Sequence, residues 1–231
     1  MLIGNIGAIG FDWDGTLVDS MSVKSAAFAE SVAKVYPNLT KVRKEVEALY
    51  LTSRGVPRTD QLALIQNKYT LTSLTSEETQ KWSDLFTSLY IDRQILLFSD
   101  AVKTLDGLTA VGYKLFLCSS VPQKDLEKTI TRYPLNGYFE VVLGSSDGGV
   151  FRKGAPHFNY ISSKIGIPLH KMAFVGDSPE DVRVANEAGC FSIGKIDARI
   201  TGSRNAIEKE APNLVIENLQ ELINYFSRPS I

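Results

Sequence analysis

Short apolar runs alternate with segments of helical periodicity over most of the chain. Residues 6–11, 113–118 (YKLFLC), 138–143 (YFEVVL) and 171–175 (KMAFV) are such runs, and each ends in small or polar residues, as strands buried on both faces do. Helical stripes follow them. Leu126, Ile130 and Tyr133 recur at helical spacing after the second run, Phe158, Ile161 and Ile165 after the third, and Val182 and Ala185 after the fourth. The chain closes on NLVI and then Leu219, Leu222, Ile223 and Phe226. Strand alternating with helix predicts an α/β fold built on a Rossmann-like, doubly wound parallel sheet. The opening MLIGNIGAIGF has no basic stretch and meets Asp12 too early for a signal sequence or a membrane span, so it too reads as a buried strand.

Residues 20–97 break the alternation. Four helical stripes can be traced there: Phe28, Val32 and Val35; Val42, Val46 and Leu49; Leu62, Ile65 and Tyr69; and Trp82, Leu85, Phe86 and Leu89 behind a Thr75–Glu78 capping box. The expected organisation is an α/β core of residues 1–19 and 98–231 carrying an inserted four-helix cap of residues 20–97. Such a cap would hinge near 19–22 and 95–100, where Asp100 reads as a helix N-cap.

Composition adds exclusions. With 231 residues, 44% hydrophobic and 22% charged, and a formal net charge of −1, the chain is an ordinary globular protein. That balance gives no sign of a nucleic-acid or membrane partner, and a monomer or homodimer is expected. Cys118 and Cys190 sit far apart in apolar contexts, as reduced core thiols in a cytoplasmic protein would. His157 and His170 lack partners at metal-ligand spacing and are expected to be surface or structural residues.

In open α/β sheets ligands bind beyond the carboxyl ends of the strands, so the residues that end each run are the ones to inspect. The first ending is Asp12-Trp13-Asp14-Gly15-Thr16, whose two carboxylates, two apart on a strand end, point roughly the same way. Alone, this string fits a plain turn or a calcium loop as well as catalysis. Three other endings accompany it: Ser119-Ser120 after Cys118, Lys153 ahead of a helix in FRKGAP, and Gly176-Asp177-Ser178-Pro179-Glu180-Asp181 after KMAFV. Singly, each has a bland counterpart, a solvated lysine, a strand-end hydroxyl or a helix N-terminal carboxylate.

Together and in this order, the four endings resemble the motifs of the haloacid dehalogenase superfamily. The resemblance spans essentially the whole chain, and a helical insertion just after the first motif is similar to the helical-cap members, among them phosphoglycolate phosphatase and β-phosphoglucomutase. It implies that Asp12 is the nucleophile, forming an aspartyl phosphate, and that Asp14 first protonates the leaving oxygen and then activates water. It implies a Mg2+ cofactor held by Asp12, the Asp14 carbonyl and Asp177, with Asp181 close by or acting through water. Lys153, the Ser119 hydroxyl and the neighbouring Ser120 would cradle the phosphoryl oxygens.

The same resemblance ranks the reactions. Dehalogenases and phosphonoacetaldehyde hydrolase lack the second aspartate, so Asp14 argues against both, and Arg58 stands where the latter needs a Schiff-base lysine. β-Phosphoglucomutase shares both aspartates and an arginine like Arg58, but its cap-side histidine falls on Lys24 and its lysine after the second motif on Pro122. Hydrolysis is therefore favoured over the mutase. Arg58, and more weakly Lys24, would contact an anionic group of the substrate from the cap, unless they are merely solvated helix residues. A non-catalytic binding protein on this fold would be expected to have lost one of these residues, and the set is complete. The sequence thus predicts a magnesium-dependent phosphatase of a small phosphorylated metabolite, a sugar phosphate or a phosphoglycolate-like ester.

Overall fold

The computed structural model describes residues 6–146 and 153–226. Residues 1–5 ahead of the first apolar run, the stretch 147–152 leading to Lys153, and residues 227–231 lie outside the described residues. The chain forms two compact units, Met1–Asp19 with Leu97–Ile231, and Ser20–Leu96.

The first unit is built on six parallel strands: β1 (Ala8–Phe11), β2 (Lys114–Pro122), β3 (Phe139–Ser145), β4 (Met172–Gly176), β5 (Phe191–Lys195) and β6 (Leu214–Ile216). Their order is β3-β2-β1-β4-β5-β6. β1, β4 and β5 are buried at every residue, which explains why β1 and β4 read as unbroken apolar runs. Helices α5 (Ala101–Ala110), α6 (Gln123–Ile130), α7 (Ala155–Ile165), α8 (Pro179–Glu187), α9 (Ser203–Glu208) and α10 (Glu221–Phe226) link or follow the strands. One core cluster joins Phe116, Cys118, Phe158, Ile161 and Phe174 with Cys190, and both cysteines are free and buried. No helix among the described residues is long and apolar enough to cross a membrane.

The structure departs from the sequence pattern in several places. β5 breaks the apolar rule because Ser192 and Lys195 interrupt it, yet Ser192 is fully buried and exchanges hydrogen bonds with Asn213, whose amide nitrogen donates to Ser192 Oγ at 3.1 Å. Tyr133 lies beyond α6 and meets Trp13 edge-on, ring centroids 5.5 Å apart. Asp100 precedes α5, but its side chain makes no cap there and accepts instead from Leu219 N at 2.7 Å and Gln220 N at 3.2 Å, just ahead of α10. The two histidines fall on the two sides of their expectation: His157 is buried and structural, with Nε2 3.0 Å from the Gly144 carbonyl, and His170 is exposed.

The second unit contains α1 (Met21–Val35), a 3-10 turn at Pro37–Val42, α2 (Arg43–Thr52), α3 (Arg58–Lys68) and α4 (Ser76–Tyr90). Helix α4 starts at the expected capping box: Thr75 Oγ1 accepts from Glu78 N and the Glu78 carboxylate accepts from Thr75 N. Phe28 of α1 sits within an aromatic cluster in the core. Its ring meets Tyr50 at 4.9 Å, Phe86 at 5.6 Å and Trp82 at 5.7 Å. Phe28→Ala should therefore cost about 3–5 kcal/mol, read as a lower denaturant midpoint for this unit, because a ring that fills an aromatic cluster leaves a cavity when removed.

Candidate active site

The sheet order reverses at β1, which lies between β2 and β4, and the crevice beyond the carboxyl ends of β1 and β4 is where an open α/β sheet binds ligands. Register sets what meets there. Phe11 pairs with Val175, and Asp12 N donates to Val175 O at 2.8 Å, so Asp12 leaves β1 beside Gly176 and Asp177 at the end of β4. Beyond Asp12 the chain turns sharply: Leu17 N and Val18 N both donate to Trp13 O, and Gly15 N donates to Val18 O at 2.8 Å. Trp13 is buried while Asp14 is half-buried, which separates the indole from the carboxylate that follows it. Gly15 turns with φ +77°, and a Cβ there would collide with the Asp177 carboxylate, so the close approach of the two strand ends depends on a residue without a side chain.

Asp181 reaches the same place from α8. Ser178 caps this helix, its Oγ accepting from Asp181 N at 3.2 Å, while Asp181 Oδ2 accepts from Ser178 N at 3.0 Å and Ser178 Oγ at 2.6 Å. The other oxygen, Oδ1, accepts from Lys153 Nζ. Asp181 is thus a helix-capping carboxylate and a member of the acidic cluster at once. Gly176 makes room for it, since a Cβ at that position would strike the Asp181 side chain.

Asp12, Asp177 and Asp181 are all buried, and each offers an oxygen within 4.8 Å of the others. Lys153, 8% exposed, stands just before α7, where Pro156 occupies the first turn; its ammonium donates to Asp12 Oδ1 at 2.8 Å as well as to Asp181. Burial is the largest influence on Asp12 and raises its pKa; Asp181 and Asp177 push the same way, and Lys153 only partly reverses the effect. Burial alone would lower the Lys153 pKa, but the two carboxylates outweigh it and the net direction is up. The cluster therefore holds more negative charge than Lys153 offsets. Three closely spaced hard oxygen donors with a charge excess fit a small divalent cation such as Mg2+.

Leu117 pairs with Phe11 at the end of β1, so Cys118 and then Ser119 follow just beyond it, and Ser119 is buried with Oγ accepting from Val121 N at 3.3 Å. The β2–β3 register is irregular between Cys118 and Pro122, so Ser119 and Ser120 stand where the regular ladder fails. Ser120 is half-buried, and its carbonyl accepts from Ser145 Oγ at 3.0 Å. The Cys118 thiol, behind these residues, is pushed up by burial and stays protonated as an inert core group.

Arg58 and Lys24 belong to the helical unit. Arg58 opens α3, and its Nη1 donates to Thr87 Oγ1 at 2.7 Å and to Ser83 Oγ at 3.2 Å on α4, with the guanidinium 5.3 Å from the Phe86 ring centroid. Lys24 is buried rather than solvent-facing, and its ammonium lies 4.7 Å from the centroid of Tyr90. Sequence reasoning missed one charged residue near the acidic cluster. Lys195 ends β5, is 3% exposed, and donates to the Gly15 carbonyl at 3.0 Å. The signal was available in CFSIGK, a run that stops at a charge as the other strands do.

A family model for haloacid dehalogenase-like hydrolases matches residues 6–189. The chain is 27% identical over 226 residues to a phosphoglycolate phosphatase of Vibrio parahaemolyticus, covering 95% of each chain. It is 26% identical over 233 residues to that of Photorhabdus laumondii, covering 100% of this chain and 96% of the relative. Among solved structures it shares the fold of a hydrolase from Pseudomonas syringae, with TM-score 0.78, 20% identity, and 96% and 98% of the two chains covered. It also shares that of a haloacid dehalogenase-like family protein from Streptococcus pneumoniae, with TM-score 0.74, 19% identity, and 96% and 99% covered. By the span of the family match, this chain belongs to the haloacid dehalogenase-like hydrolase family.

Proposed function

We propose that the protein is a magnesium-dependent phosphatase that hydrolyses a small phosphorylated metabolite, with Asp12 as nucleophile. The observation that carries this reading is the buried carboxylate of Asp12, paired with Lys153 and within 4.8 Å of Asp177 and Asp181. Asp12, the Asp14 carbonyl and Asp177 would hold Mg2+, with Asp181 in support. When bound, the cation supplies charge to offset the approach of an anionic phosphate to anionic carboxylates.

The side chains divide the remaining work. A carboxylate oxygen of Asp12 forms a bond to phosphorus as the ester P–O bond breaks, and Asp14 gives its proton to the departing oxygen. Asp14, now ionised, takes a proton from a water that attacks phosphorus, which releases Asp12 and inorganic phosphate. Lys153 keeps Asp12 oriented and contributes a fixed positive charge, with Ser119 and the backbone around Ser120 completing the phosphate cradle. The helical unit of residues 20–96 would act as the cap, and Arg58 and Lys24 are its candidates for recognising substrate. The names of the curated relatives make phosphoglycolate the first substrate to try.

A panel of phosphate monoesters including phosphoglycolate and sugar phosphates, each assayed with Mg2+ and with chelator, tests this. Release of inorganic phosphate from at least one ester, abolished by chelation, is expected. No turnover of any ester, or turnover indifferent to chelation, would contradict the proposal. β-Glucose 1-phosphate with a bisphosphate activator belongs in the same panel, since isomerisation without phosphate release would indicate the mutase instead.

A further inference from the structure

Lys195 carries a buried charge that the chemistry above does not use. Its ammonium donates to Gly15 O at 3.0 Å and sits 3.6 Å from the centroid of the Phe98 ring. Burial lowers its pKa, and the carboxylates of Asp177, Asp197 and Asp100 oppose this only in part. A buried cation needs compensation of this kind, and an apolar residue would pack there without it. The partners of Lys195 suggest what it does.

The hydrogen bond and the ring contact of Lys195 both bear on the turn that follows β1. Gly15 directly succeeds Asp14, and the carbonyl that Lys195 grips belongs to the Gly15–Thr16 peptide, one peptide beyond the Asp14 carbonyl. Phe98, whose ring lies under the ammonium, donates its own N–H to Leu17 O at 3.0 Å, and Leu97 bridges Val18. Four residues beyond Lys195, Arg199 grips both oxygens of Asp19, at 2.7 and 2.8 Å, and bonds Asp197 as well, with its guanidinium 5.8 Å from the same Phe98 ring. The residues clamped are the last of the core unit before the helical unit and the first after it.

We propose that Lys195 is a positioning residue: acting through the Gly15 peptide and the Phe98 ring, it holds the turn bearing Asp12 and Asp14 in place against Asp177. Its kinetic consequence rests on the phosphatase reading, but its structural consequence does not. Because a catalytic group displaced by about 1 Å can cost about 100-fold in rate, loss of this grip should appear in kcat rather than in KM.

The test is Lys195→Met in the full chain, read by hydrogen exchange and by kinetics. Amide exchange across residues 12–19 should accelerate about tenfold or more while that of α1 to α4 stays unchanged. With an ester found active, kcat should fall by about 100-fold and KM stay within about twofold. Phe98→Leu, which removes the ring and keeps the lysine, should give a weaker version of both changes and serves if Lys195→Met fails to fold. Exchange in 12–19 unchanged in the folded variant would overturn the proposal, as would a rise in KM with kcat intact. Should the wild-type protein turn over no ester, the exchange measurement alone decides, and the phosphatase reading fails separately.

Discussion

Asp12→Asn is expected to reduce phosphate-ester turnover by about 10^4-fold or more, the scale of loss when a nucleophile acting at the centre of a concerted site is removed. Asparagine keeps the size and shape of the side chain, so the change acts on charge and nucleophilicity rather than on packing. It also has a signature in stability. In the folded, metal-free chain Asp12 holds its proton more tightly than the ordinary carboxylate value of 3.8, because burial and two neighbouring carboxylates disfavour ionisation. The folded state then binds more protons than the unfolded one above that value, and stability falls as pH rises through the range where the unfolded carboxylate has already ionised. Thermal melts of the metal-free wild type from about pH 5 to about pH 8 should show this decline, and Asp12→Asn should flatten it. A variant as pH-sensitive as the wild type would contradict the charge excess assigned to the cluster.

Lys153→Met is expected to combine loss of turnover with a large loss of stability. The ammonium bonds two buried carboxylates, Asp12 and Asp181, and its removal leaves both without their direct cationic partner. Breaking a buried pair from one side costs about 3–5 kcal/mol, which for a chain of this size is a fall in melting temperature of roughly 10 °C. Added Mg2+ should return part of that loss, because a dication bound to the same oxygens restores some of the missing positive charge. A melting temperature within about a degree of wild type would show that the pair is electrostatically idle.

The parts of the fold that were legible in the sequence are those where burial dictates residue type. β1 and β4 are covered on both faces, so their apolar runs and the acidic residues that end them could be read directly, and register then brings Asp12 and Asp177 to adjacent strand ends. β5 escaped notice because Ser192 and Lys195 are polar yet buried, each satisfied by a partner, Asn213 and Gly15, distant in sequence. For the same reason Asp100 looked like the cap of α5, while its carboxylate serves backbone amides more than a hundred residues later. Asp181 was seen as either a helix-end carboxylate or a site residue, and its two oxygens divide between those tasks. Local patterns reveal what a residue can do, but only the tertiary fold assigns the partner.

The most direct test of Asp12 as the nucleophile is a rapid acid quench during turnover of an active phosphate ester with Mg2+, followed by peptide mass spectrometry. A phosphoryl group attached to Asp12, and lost in Asp12→Asn, is the expected result. Enzyme that remains unmodified throughout turnover, or that carries the phosphoryl group on another residue, would contradict it.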